Sequence, residues 1–195
     1  MKQFNFRILI LLVIAFYSFS SYSQALHHGV LLKVVIIRHC EKPDSGSNCT
    51  CAGLNRALAL PNVLDTVTGT PDYTYVPSLE MGKKTKHSRM FETVMPFAVQ
   101  KNLEINSKFG EADTANVALE LMKKRGVVLM VWEHSNIPPI ARNLGVKSVP
   151  SWGKKDFDSI WIIEFSKTDK KGKLKNPVLT IEKENINPSG NCPGQ

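Results

Sequence analysis

Two apolar runs, Leu31 to Ile37, interrupted only by Lys33, and Val127 to Trp132, constrain the fold of this chain more than any other feature. Each is rich in Val and, Lys33 apart, has no polar position to offer water. A strand of that kind is buried on both faces, as in parallel sheets covered by helices on either side. Each run also stops abruptly in a polar pair, Arg38-His39 after the first and Glu133-His134 after the second. Strand and helix signals alternate along the rest of the chain. The expected fold is therefore α/β, a three-layer α/β/α sandwich with a mostly parallel sheet and an antiparallel edge strand.

The intervening segments fill in that plan. Thr50 is placed to cap a helix carrying Leu54, Ala57 and Leu58, with Arg56 on its flank and an expected end before Pro61. Tyr73 to Val76 reads as a short strand. A helix follows from about Ser88 to Lys101 with Met90, Phe91, Val94, Phe97 and Ala98 as its apolar stripe, and Pro96 predicts a kink or a break in it. Leu103 to Ile105 is a strand candidate, and Asp113 is expected to cap a helix bearing Val117, Leu119, Leu121 and Met122. A short helix starts near Ile137, tolerating Pro138 and Pro139 in its first turn and ending at Gly145. Ser159 to Phe165 is a further strand. A turn at Asp169 to Lys173 leads into an edge strand, Val178 to Glu182, whose charges discourage stray pairing.

At the N-terminus, Lys2 and Arg7 precede the apolar run Ile8 to Phe16 and the small-residue stretch Ser18 to Ser23. That is the layout of a secretory signal peptide with a mature start at Gln24, so export to a periplasm or the medium is expected, without stable membrane insertion after cleavage. Residues 24–195 are expected to form one domain. The chain is basic, with a formal net charge of +8, which favours anionic ligands without naming one. The lysine-rich run Lys167 to Lys175 lacks interleaved aromatics and reads as a solvated turn, so no nucleic-acid partner is expected. Four cysteines, at 40, 49, 51 and 192, permit disulfides in an oxidising compartment. A bridge from Cys49 or Cys51 to Cys192 is favoured over a strained Cys49–Cys51 ring, and Cys40 reads as a small buried hydrophobe. A metal site from Cys49, Cys51, His27 and His28 matches no standard spacing.

In open parallel sheets ligands bind beyond the carboxyl ends of the strands. If the two apolar strands are neighbours, both histidines enter one crevice beside Arg38, a bidentate donor suited to a phosphoryl group. A neutral imidazole is a competent nucleophile toward phosphorus, and a second histidine with arginines can hold the charge on the equatorial oxygens.

The string Val35-Ile36-Ile37-Arg38-His39-Cys40-Glu41-Lys42-Pro43 resembles the Arg-His-Gly/Ala-Glu-Lys-Pro signature of the histidine phosphatase (phosphoglycerate mutase-like) superfamily. Thr50 to Ala57, Ser88-Arg89 with Glu92-Thr93 and Pro96, and Glu133-His134-Ser135-Asn136-Ile137-Pro138 resemble three further family elements in the same order, over about residues 33 to 165. The resemblance implies that His39 attacks phosphorus while Arg38, Arg89 and His134 hold the phosphoryl oxygens, with no cofactor and no metal. It also implies an acid from the segment between Arg89 and His134, with Glu111 and Asp113 favoured over Glu104 and Glu120. Cys40 stands where the family has Gly or Ala, and Glu133 where it has Gly. A chain this short lacks the insertions that deepen related sites. An open site in a monomer or weak dimer is thus expected, acting on a small phosphomonoester or a phosphorylated protein. The alternatives are a phosphate-binding or sensory module on the same fold, and an interaction domain using the basic hairpin.

Overall fold

The computed structural model describes residues 29–80 and 87–194. The chain divides into Met1–Val30 and Leu31–Gln195, and only Gly29 and Val30 of the first unit are described, so the expected signal peptide and the start at Gln24 lie outside the described residues. In the second unit the elements run β1 (Leu32–Arg38), α1 (Cys51–Thr68), β2 (Tyr73–Tyr75), α2 (Ser88–Lys101), β3 (Ile105–Asn106), α3 (Thr114–Leu121), β4 (Gly126–Trp132), α4 (Ile137–Asn143), β5 (Ser159–Phe165), β6 (Lys167–Thr168), β7 (Leu174–Lys175) and β8 (Val178–Lys183). Six strands form one sheet in the order β3-β2-β4-β1-β5-β8, and β6 and β7 form a small hairpin. The pairs β1–β4, β2–β4 and β2–β3 are parallel, whereas β5 is antiparallel to β1 and the edge strand β8 antiparallel to β5.

Both faces of the sheet are covered, which is why the two central runs are apolar except for Lys33, whose Nζ donates to Val67 O at 2.8 Å. Val34, Ile36, Val128, Met130 and Trp132 pack with Val117 and Leu121 of α3 and with Ile137 and Ile140 of α4. Val35, Ile37, Leu129 and Val131 pack on the other face with Leu60 and Leu64 of α1 and with Met90, Val94 and Phe97 of α2. Each fully buried side chain of this size contributes about 1.5–3 kcal/mol, so these two layers dominate the stability of the sheet.

Both helical prolines lie inside continuous helices. The helix expected to end before Pro61 runs on to Thr68, and α2 is a single helix on both sides of Pro96. In each case the residues beyond the proline are needed by the core. Leu64 and Thr68 are buried in α1, and Phe97 and Ala98 in α2, so burial outweighs one missing helical hydrogen bond. Leu119 departs the other way: placed in the apolar stripe by its spacing, it is 61% exposed on α3. Arg56, on the helix flank, is 2% exposed and paired with the buried Glu184.

Two disulfides close the molecule. Cys51–Cys192 is the expected tail bridge, with Cα atoms 4.5 Å apart. Cys40, read from sequence as a free small hydrophobe, is instead bonded to Cys49, with Cα atoms 5.6 Å apart. The loop after β1 folds back to start α1, where Thr50 N donates to Glu41 O and brings the chain around Cys49 back beside Cys40.

Candidate active site

The register of β1 on β4 builds the site. Arg38 lies opposite Trp132, and His39 N donates to Trp132 O at 3.2 Å, so the two strands end level and the polar pairs that follow sit side by side. They border an open cleft of about 500 Å³ lined by Arg38, His39, Lys42, Ser47, His87, Arg89, Glu111, Glu133, His134 and Ser135. Arg38, His39, Arg89, His134 and Glu111 are therefore brought together as expected. Asp113 is not: it lines a separate groove with Asn116 and Lys123. Nor does its carboxylate cap α3; it accepts a hydrogen bond from Asn116 Nδ2 at 2.9 Å.

His39 is 1% exposed and held through both ring nitrogens. Nδ1 lies 2.6 Å from Cys40 O, and a carbonyl can only accept, so Nδ1 carries a hydrogen and Nε2 is the nitrogen directed to chemistry. Nε2 lies 2.6 Å from Glu133 Oε2, while Glu133 Oε1 contacts His134 Nδ1. Burial alone would push the Glu133 carboxyl up, but its bond to His39 and the charges of His39, His134 and Arg38 outweigh that and lower it to about 2. An ionised Glu133 at this distance requires a proton between itself and Nε2, which occupies the lone pair a nucleophile needs. His134 titrates below its ordinary value because of burial, opposed by Glu133 and reinforced by Arg38, so the neutral ring is favoured.

The two arginines are partly committed. Arg38 stacks on the Phe157 ring at 3.7 Å, and its Nη1 donates to the carbonyls of Lys154 at 2.8 Å and Asp156 at 3.2 Å. Arg89 Nη1 donates to Ser47 O at 2.9 Å. The Nε atoms of Arg38 and Arg89 are buried without a hydrogen-bond partner among the described residues, a cost that an anion in the cleft would relieve. Glu111 is fixed from two sides, with Oε2 2.5 Å from His87 Nδ1 and Oε1 accepting from Asn136 Nδ2 at 3.3 Å. Asn136 thus spends its side chain on Glu111 rather than on the first turn of α4.

His87, Ser47 and Ser135 were not singled out from sequence. His87 had one available signal, its position two residues before Arg89; Ser47 depends on the folding back of a loop, which no periodicity reveals. Gly53 is a backbone requirement of the site, because a Cβ there would meet Glu41 O at 2.8 Å and Cys40 Cβ at 3.0 Å. Only glycine lets the first turn of α1 lie this close to the residues that follow His39.

No family model and no curated protein matches the sequence. Solved structures do. The protein histidine phosphatase SixA complexed with tungstate aligns with a TM-score of 0.56 and 15% identity, over 76% of this chain and 94% of its own length. Mycobacterial hydrolase 2 aligns with a TM-score of 0.50 and 12% identity, over 83% of this chain and 93% of its own. This chain has the histidine phosphatase fold. Within that phosphoglycerate mutase-like architecture, the polar pairs after β1 and β4 fall at the carboxyl edge of the sheet, where the crevice of a parallel α/β fold lies.

Proposed function

We propose that this chain is an exported phosphatase that hydrolyses phosphomonoesters or phosphorylated protein through a phosphohistidine on His39. The observation that carries the reading is the level ending of β1 and β4, which gathers His39, His134, Arg38 and Arg89 around one cleft. His39 Nε2 attacks phosphorus while Nδ1–H stays on Cys40 O. His134 and the two guanidinium groups stabilise the charge on the equatorial oxygens. As the bond from phosphorus to the leaving oxygen breaks, that oxygen takes a proton from the Glu111–His87 pair, which lies on the cleft wall. Water then attacks the phosphorus, giving a proton to the Glu111–His87 pair left deprotonated by the first step, and the electron pair of the P–N bond returns to Nε2. Glu133 must take the shared proton and swing off Nε2 before the first step, so substrate competes with an internal carboxylate.

That same contact favours a second reading, a phosphate-binding module held short of turnover by Glu133. The deciding experiment is hydrolysis of an aryl phosphate from acidic to neutral pH, with chelator present, by the wild type, His39→Ala and Glu133→Gly. The phosphatase reading expects turnover in the wild type, none in His39→Ala, and at least equal turnover in Glu133→Gly. Folded protein that binds phosphate but turns over in none of the three would leave the binding module.

A further inference from the structure

The carboxylate between the two histidines makes a constellation that the phosphatase reading does not use. His39, Glu133 and His134 each offer a ligand atom, and these atoms lie within 4.8 Å of one another. A tetrahedral ion with bonds of about 2.1 Å separates its ligands by roughly 3.4 Å, so small side-chain rotations bring the three donors into place. Two imidazoles and one carboxylate suit a divalent transition ion such as zinc rather than magnesium or calcium, which favour all-oxygen shells.

The surroundings are those of a metal-binding histidine. The non-ligating nitrogen of His39, Nδ1, is anchored 2.6 Å from a backbone carbonyl, which fixes the ring and presents Nε2. His39 and Glu133 stand at the ends of two paired central strands, so their separation is set by the sheet and not by loops. The competing cation nearest by sequence, Arg38, is drawn onto Phe157 and the carbonyls of residues 154 and 156. All four cysteines are in disulfides, which removes the alternative thiolate ligands.

We propose that His39, Glu133 and His134 form a two-histidine, one-carboxylate site for a divalent transition metal ion, zinc being the best fit, and that its occupancy blocks the histidine phosphatase chemistry. Metal binding rests on these three residues alone; the blocking rests on the function proposed above, because the ion takes the Nε2 lone pair that would attack phosphorus. Three protein ligands leave a coordination position open to the cleft, so the ion exchanges and chelator restores turnover.

The test uses the purified protein with cobalt(II) as a spectroscopic probe and zinc titrated by calorimetry. One ion per chain is expected, with the d–d absorption of a four-coordinate site, and affinity at least tenfold weaker in Glu133→Gln and in His134→Asn. The double substitution His27→Ala/His28→Ala, in the N-terminal segment, is expected to leave this binding intact. Binding that survives Glu133→Gln and His134→Asn, or that vanishes with His27 and His28, overturns the site. Circular dichroism of each variant separates ligand loss from unfolding, and the absence of four-coordinate cobalt absorption in the wild type refutes the site whatever the variants do. Zinc binding in a protein without phosphatase activity would uphold the site and sink the functional reading. Turnover that persists at saturating zinc would overturn the blocking.

Discussion

Replacing Arg56 by Met tests how the C-terminal segment is anchored under β1. Arg56 Nε donates to Glu184 Oε2 at 2.6 Å and Nη2 to Oε1, while Nη2 also donates to Arg38 O at 3.2 Å. Methionine fills much of the volume and removes the charge, so Glu184, 4% exposed, is left as a buried carboxyl without its cation. Breaking one side of a buried pair costs about 3–5 kcal/mol, a large part of the roughly 5–15 kcal/mol that holds a domain together. At about 2–4 °C per kcal/mol for a chain of this size, the melting temperature should drop by roughly 6–20 °C at neutral pH. The sign of the pH dependence follows from Glu184. Burial pushes its carboxyl above the ordinary value, against the pull of Arg56, and without Arg56 it rises further. A carboxyl raised on folding adds stability that is complete below its unfolded pKa and lost as pH rises through the folded one. The penalty of Arg56→Met should therefore be largest at neutral pH and shrink toward acid, and Arg56→Met/Glu184→Leu should recover most of it. Equilibrium urea unfolding from pH 4 to 8 measures all three variants. A loss below about 1 kcal/mol at neutral pH, or a penalty that grows on acidification, refutes the reasoning.

Asp156→Asn should carry the opposite sign. Burial pushes the Asp156 carboxyl up, but bonds from Ser159 Oγ and the amides of Asp158 and Ser159, with Lys183 nearby, hold it below its ordinary value. Its stabilisation is present above the unfolded carboxylate pKa and lost as pH falls through the folded one, so wild type and variant should differ near pH 6 and converge in strong acid by urea midpoints. Gly53→Ala should cost about 1–3 kcal/mol by overpacking and lower kcat/KM by displacing Glu41, read in one preparation by unfolding and aryl phosphate assays. Cys51→Ala/Cys192→Ala opens a loop of sequence separation 141 and should lower the urea midpoint by the equivalent of about 5 kcal/mol, about twice the effect of Cys40→Ala/Cys49→Ala, whose separation is 9. Equal effects would place the stabilisation elsewhere than in loop closure.

The central strands were legible because burial on both faces leaves an apolar string, interrupted in β1 only by Lys33, and the site followed because polar residues end those strings. Their register was not, since no residue in β1 marks Trp132 as the partner of Arg38. The grip of Glu133 on His39 is a product of that register and spans 94 positions, so the sequence offered only a misplaced carboxylate beside a histidine. The burial of Arg56 was not legible because its partner lies 128 residues away. Pro61 misled for a related reason: local propensity sees the lost hydrogen bond, while Leu64 is buried by tertiary contacts that propensity does not contain. Glu111 and Asp113 could not be separated by sequence, because one turn of chain directs Glu111 toward His87 and Asp113 toward Asn116.

The Cys51–Cys192 bridge closes residues 51–192 into a covalent ring that holds every described strand except β1. The strand bearing Arg38 and His39 is thus a separate thread laid between β4 and β5, and its own Cys40–Cys49 link also lies outside the ring. A single cut between Cys49 and Cys51 would part the molecule into a small peptide carrying Arg38 and His39 and a closed ring carrying Arg89, Glu111 and His134. This geometry makes a natural split protein, in which the short strand can be supplied, labelled or exchanged without opening the body that receives it.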